Sequence, residues 1–78
     1  MLYIIANKRQ AVDYGFSIRG HRVNGNLILL NEKEVESNPA LSASNDNTLE
    51  ERCKLISGTI FTHQGIIHEL EQGGWNNG

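Results

Sequence analysis

The sequence predicts a small α/β domain in which three strands form a mostly parallel sheet flanked by helices. Residues 2–6 are apolar on both alternating faces, as in a strand buried on both sides. A helical apolar pattern follows, and then a second apolar run at residues 27–30. Residues 59–62 are rich in strand-forming side chains and supply the third strand. The expected order is strand, helix, strand, loop with a short helix, strand, helix.

Asn7 and Gln10 predict where the first helix begins. Asn is a favoured N-cap residue, and Gln three positions later completes a capping pair. Gly20 is the expected stop. The Asn24-Gly25 pair is typical of a type I′ turn, so residues 16–23 and 26–31 could instead be the arms of a hairpin. We favour the helix because glycine and charged residues interrupt the first arm.

A polar loop separates the two halves of the chain. Residues 31–36 predict a short helical turn that is broken by Pro39, and we expect a flexible loop over about 36–48. Thr48 followed by Glu51 then predicts a helix that begins near residue 49.

Residues 49–70 allow two interpretations. Their apolar residues recur at spacings of four and three, which would suit one long helix. That alternative gives an α+β fold, a small antiparallel sheet packed on one long C-terminal helix. Two glycines within residues 57–65 each cost about 1 kcal/mol in a helix, and Thr-Ile-Phe-Thr prefers a strand. We therefore favour a helix to about residue 55, the strand, and a helix over 66–72 ended by Gly73-Gly74. We expect residues 74–78 to be frayed.

Size and composition indicate one domain over residues 1–78. A chain this short buries only about 60% of its unfolded surface, so a homodimer or a partner would add stability. The longest aliphatic run has four residues, against ~20 for a membrane span, and no secretory signal opens the chain. With a single cysteine, these features predict a cytoplasmic protein.

The residues that could carry chemistry do not form a known motif in the sequence. Phosphate-loop and zinc-binding spacings are missing, and His63 and His68 would lie on different faces of a helix. Cys53 falls on an apolar helix face, where packing is its expected role. We expect no catalytic residues, no metal and no cofactor.

The predicted sheet nevertheless suggests a binding site. Ligands of parallel α/β sheets bind beyond the carboxyl ends of the strands, here residues 7–10, 31–33 and 62–65. The start of the first helix would offer free amides to an anion. The plainer alternative is that Asn7 and Gln10 only cap the helix and the cations stay in water. The predicted binding residues are Asn7, Lys8, Arg9, Gln10, Arg19, Arg22, Asn31 and His63.

The stretches "YIIANKRQAVDYG" and "IIHELEQGG" resemble small phage- or prophage-encoded α/β proteins. Those proteins begin with a strand that runs into an "RQA"-type helix and close with a helix ending in glycine. The resemblance covers about half the chain, without residues 36–48, and implies a compact three-layer fold and an accessory role.

From the resemblance and the missing catalytic motifs, we expect a non-enzymatic accessory protein that binds and modulates a host protein in the host cytoplasm. The alternative is a small nucleic-acid- or nucleotide-binding module that uses the basic first helix. Residues 1–30 carry four cations and one carboxylate, whereas residues 31–78 carry three cations and eight carboxylates. Nucleic-acid binders are usually strongly basic, and this chain has a net charge of −2.

Overall fold

The computed structural model describes residues 1–41 and 48–78, which form five strands and four α-helices. In chain order the elements are β1 (Tyr3–Asn7), α1 (Lys8–Asp13), β2 (Arg22–Asn24), β3 (Leu27–Asn31), α2 (Glu32–Ser37), a 3₁₀ turn (Pro39–Leu41), α3 (Leu49–Leu55), β4 (Thr59–Phe61), α4 (His63–Glu71) and β5 (Asn76–Asn77).

The five strands form one antiparallel sheet in the order β4-β1-β3-β2-β5. The prediction of a three-stranded, mostly parallel sheet is therefore wrong. β2 does run in the same direction as β1, as a crossover through α1 and residues 14–21 requires. However, β3 lies between them and pairs antiparallel with both, so no parallel neighbours form. The helix ends at Asp13, before Gly15 at φ +94°, and not near Gly20 as predicted.

The chain reverses direction between β2 and β3 through a hairpin. Asn24 pairs with Leu27, so Gly25 and Asn26 form the turn between β2 and β3. Gly25 has φ +59°, and Asn26 does not have a positive φ. This pattern fits a type II′ turn and not the predicted type I′ turn. The first helix and the hairpin, which the sequence offered as alternatives, are both present because each is shorter than expected.

The last third of the chain is helix, strand and helix, as favoured from the sequence. The long helix of the alternative fold is not formed, although the antiparallel sheet of that alternative is. Thr62 caps α4 by accepting a hydrogen bond from the Gly65 N–H. The helix therefore begins at His63, three residues earlier than predicted. Gly73 and Gly74, with φ of +88° and +86°, follow its end.

The sheet has two different faces. Ile4, Ala6, Ile28 and Leu30 point to one face and form the core with the first three helices. The opposite face, which we call the second face, carries Ile5, a buried residue outside that core cluster.

Helix α4 covers part of the second face. Phe61 alternates with the core-facing Ile60, and Gly65 of α4 lies against the Phe61 ring. The helix also connects β4 and β5, which are the two edge strands of the sheet, and therefore passes from one edge to the other. Its buried residue, Ile66, is outside the main core cluster, as expected for a helix on the other side.

Two segments expected to be mobile are ordered where the structure describes them. Residues 36–41 of the predicted loop end α2 and form the 3₁₀ turn, and Leu41 is buried. Residues 42–47 of that loop lie outside the described residues. The tail expected to fray is paired with β2, with Val23 opposite Asn76 and Arg22 opposite Asn77.

Gly58 joins α3 to the edge of the sheet where a side chain does not fit. A Cβ at this position would lie 2.7 Å from Ile4 Cγ2 and 3.3 Å from Cys53 Cβ, both in the core. We therefore expect Gly58→Ala to lower the free energy of unfolding by about 1–3 kcal/mol through overpacking. Urea unfolding of this variant and of Lys54→Ala, an exposed change on α3, provides the comparison. Equal stability of the two variants would contradict this packing.

Candidate functional site

The end of the sheet at Tyr3 carries an open groove that α4 leaves uncovered. Tyr3, Arg22 and Leu29 all lie on the second face, because each alternates with a core-facing neighbour. The groove has a volume of about 210 Å³. Its lining residues, which define the Tyr3 groove below, are Tyr3, Gly20, His21, Arg22, Leu29, Leu30, Asn31 and Glu34.

His21 and Glu34 form the polar wall of the Tyr3 groove. His21 Nε2 lies 2.5 Å from Glu34 Oε1, and His21 Nδ1 lies 2.6 Å from the Ser17 carbonyl oxygen. A carbonyl oxygen only accepts, so Nδ1 is the donor in that contact. When the ring is protonated, the second contact is an ion pair. Through its two ring nitrogens, His21 connects the loop before β2 to helix α2.

Glu34 also stabilises the start of helix α2, as the third residue of that helix. Its Oε2 accepts a hydrogen bond from the Asn31 N–H at 3.1 Å, and the Asn31 Oδ1 accepts one from the Glu34 N–H at 2.9 Å. This reciprocal pair is a capping box. One carboxylate therefore holds both the end of β3 and the loop that carries His21.

The predicted binding residues divide into two groups. Arg22 and Asn31 line the Tyr3 groove, and the His63 ring lies 6.0 Å from the Tyr3 ring, centre to centre. Arg19 is exposed in the turn before β2 and does not line the groove. Arg22, Asn31 and His63 therefore lie around Tyr3, which the prediction did not include.

The other half lies at the far end of the sheet. Tyr3 pairs with Asn31, and Asn7 pairs with Leu27 at the opposite end of the same ladder. Asn7 is thus about 13 Å from Tyr3 along β1, and Lys8, Arg9 and Gln10 follow it in α1. Of the three strand ends expected to converge, those of β3 and β4 meet near Tyr3, but that of β1 lies at the opposite end of the sheet, because β1 is antiparallel to both neighbours.

The residues at this far end have structural contacts. Asn7 caps α1 by accepting a hydrogen bond from the Gln10 N–H, as predicted. The Gln10 Oε1 in turn accepts a hydrogen bond from Ser57 Oγ at 2.7 Å. Ser57 has a positive φ of 52°, and this bond helps to hold the turn between α3 and β4.

Sequence reasoning missed Tyr3 and Glu34 as site residues. The capping-box pattern Asn31-x-x-Glu34 was a readable signal for the start of α2. The contact of Glu34 with His21 had no such signal, because the two residues are 13 positions apart and meet only in the folded chain.

A second, larger depression also borders Glu34 but has fewer polar side chains in its lining. Its volume is about 430 Å³, and its wall consists mainly of Tyr14, Gly15 and residues 37–40. Glu34 is the charged residue in that lining, and Asn38 is already engaged because its Nδ2 donates to the Tyr14 carbonyl oxygen. The Tyr3 groove is smaller but gathers more polar groups.

Cys53 is not exposed to either depression. It is 2% exposed, and burial raises the pKa of its thiol from the usual 9.0 to about 11, with the Glu50 carboxylate adding to the rise. The thiol is therefore protonated at neutral pH, which removes its nucleophilic form.

Neither known proteins nor a group of metal ligands indicates what this site binds. No protein-family model, no curated protein and no solved structure matches the chain. Within residues 1–41 and 48–78, no group of three or more His, Cys, Asp or Glu side chains could hold a metal ion. In the same ranges, no helix has both the length and the apolar character needed to cross a membrane.

Glu34 variants separate its charge from its hydrogen bonds. Glu34→Gln keeps an oxygen that can accept from the Asn31 N–H and an N–H that can donate to His21 Nε2, whereas Glu34→Ala loses both contacts. We expect Glu34→Ala to lower the free energy of unfolding by about 1–3 kcal/mol, and Glu34→Gln by a smaller amount. Urea unfolding of both variants tests this. If the two variants lose equal stability, the hydrogen bonds that an uncharged side chain can make at position 34 contribute nothing.

Cys53 makes the stability of the fold decrease with rising pH in the alkaline range. The folded thiol holds its proton more tightly than the unfolded thiol, so this contribution is complete below pH 9 and declines as pH rises toward 11. We expect the wild-type free energy of unfolding to fall more steeply over this range than that of Cys53→Ala. Urea unfolding at several pH values measures both slopes, and parallel slopes would contradict the burial of this thiol.

Proposed function

We propose that this chain is a non-enzymatic, phage- or prophage-encoded accessory protein that binds and modulates a host protein in the host cytoplasm. The observation that carries the protein-binding part is the composition of the Tyr3 groove. Tyr3 and Leu29 provide half-buried apolar area, and Arg22 supplies an exposed guanidinium beside them. Tyrosine and arginine are enriched at protein interfaces and among the residues that dominate binding energy.

The size of the Tyr3 groove favours a protein partner over a small-molecule ligand. Small-molecule pockets usually measure about 300–1,000 Å³. The groove, at about 210 Å³, is smaller than this range. Two exposed apolar residues, Leu27 on β3 and Ile67 on α4, add apolar surface outside the groove. The phage origin rests on the resemblance of the sequence alone.

Nucleic-acid or nucleotide binding through the basic first helix is the second candidate. Lys8 and Arg9 lie in α1, beyond the far end of β1, whereas Arg22 lines the Tyr3 groove. The four cations of residues 1–30 therefore do not form one continuous patch with the groove, and this arrangement favours the protein-binding proposal. Binding to a DNA duplex that falls steeply with salt would restore the second candidate.

Site-specific photocrosslinking tests the proposed function. We expect benzoylphenylalanine in place of Tyr3 to give discrete protein adducts in a bacterial lysate, because that side chain lies in the groove. The same group in place of Lys54, whose side chain is 72% exposed on α3, is the matched control. Mass spectrometry identifies the adducts, and excess wild-type chain should compete with them.

Further variants and nuclease treatment separate the two candidates. Arg22→Glu should weaken the adducts at position 3 by about tenfold if the guanidinium contributes ~1.4 kcal/mol to the interface. Adducts that form equally at positions 3 and 54 would mean that the groove is not the binding surface. Adducts that disappear with nuclease would assign the surface to nucleic acid.

A further inference from the structure

Residues 76–78 pair with the outer edge of β2. β5 pairs with β2 over only two residues, Asn76 and Asn77, and both are exposed. Beyond them, the Gly78 N–H donates a hydrogen bond to the His21 carbonyl oxygen at 2.8 Å. The edge of β2 and the turn at residues 18–21 thus receive an extended segment through main-chain hydrogen bonds.

This site accepts only glycine at one position. A Cβ on Gly78 would lie 2.5 Å from the Ile18 carbonyl oxygen and 2.9 Å from the His21 carbonyl oxygen. These are main-chain atoms of the turn that the His21 N–H closes by donating to the Ile18 carbonyl oxygen. They cannot rotate away as a side chain can, so the turn selects a residue without a side chain.

The segment is joined to α4 through two glycines. Gly73 and Gly74 both have positive φ and separate α4 from the tail. The Asn24 Nδ2 donates to the Gly73 carbonyl oxygen at 3.5 Å, which is a long hydrogen bond. A short, exposed ladder of this kind opens at low free-energy cost, so another strand could replace it.

The site borders the Tyr3 groove. Asn77 lies opposite Arg22, and residues that face each other in an antiparallel pair point to the same face of the sheet. Arg22 lines the groove, so the side chain before the glycine lies next to it. A partner strand can therefore combine main-chain pairing with β2 and a side chain directed toward the groove.

We propose that the outer edge of β2 and the turn at residues 18–21 bind an extended, uncharged segment of a partner protein with glycine at the position of Gly78. Residues 76–78 occupy this site until the partner displaces them. Strand addition of this kind is a common mode of peptide recognition. The identity of the natural partner rests on the proposed function above, whereas binding of a peptide to this edge does not.

A variant of the full chain opens the site for a direct test. Gly78→Val should undock the tail, because its side chain would collide with the two carbonyl oxygens. We expect the fluorescein-labelled peptide Gly-Gly-Trp-Asn-Asn-Gly to bind this variant in an anisotropy titration and to shift the NMR amide signals of residues 18–23. Binding to the wild type should be at least about tenfold weaker, because its own tail is held at high effective concentration.

Matched controls make the test specific. The peptide Gly-Gly-Trp-Asn-Asn-Val should not bind, and unchanged amide signals from β1 and β3 show that the variant is folded. Asn76→Pro is a second way to open the site. Hydrogen-bonded pairs alternate along an antiparallel ladder, so the bond from the Gly78 N–H places the N–H of residue 76 toward β2 as well. Proline has no N–H to donate there. It should bind the glycine peptide if Gly78→Val fails to fold.

Three results would overturn the proposal. They are no peptide binding to either folded variant, equal binding to wild type and variants, or a wild-type dimer that Gly78→Val abolishes. The dimer would assign the edge to a second copy of this chain. Photocrosslinks from position 3 that persist without peptide binding would overturn only this inference and leave the proposed function in place.

Discussion

β1 pairs with β3 over five residues, from Tyr3 opposite Asn31 to Asn7 opposite Leu27, and the rest of the structure is arranged around this ladder. Ile4 and Ala6 are fully buried, and β4 pairs with the other side of β1. The ladder is antiparallel because the β2–β3 hairpin places β3, and not β2, beside β1. Its direction places the carboxyl ends of β1 and β3 at opposite ends of the ladder, which separates side chains that a parallel sheet would bring together.

Polar side chains connect this sheet, and the helices around it, to one another. Glu34 connects the end of β3, the start of α2 and the loop before β2 through Asn31 and His21. The Arg52 guanidinium of α3 donates to the Val35 and Asn38 carbonyl oxygens, at the end of α2. Hydrogen bonds from a charged group to helix-end carbonyls satisfy acceptors that the helix itself leaves open. Such contacts position short helices whose own hydrogen bonds would not hold them.

The second face of the sheet is where binding chemistry is concentrated. Helix α4 crosses this face from β4 to β5 and leaves Tyr3, Leu29 and Arg22 uncovered at one end. The tail reaches β2 directly beside that opening. A groove for side chains and an edge for main-chain pairing thus adjoin each other, which gives a partner strand two kinds of contact at one place.

Local sequence determined the helix caps at Asn7, Thr48 and Gly73, and the break of residues 49–70 into helix, strand and helix, because capping and propensity act over a few neighbouring residues. It also indicated the buried β1. Strand direction was decided by tertiary structure, since the same apolar run suits a parallel or an antiparallel neighbour. The His21–Glu34 contact, the Tyr3 groove and the paired tail depend on that direction, so only the folded chain brings their residues together.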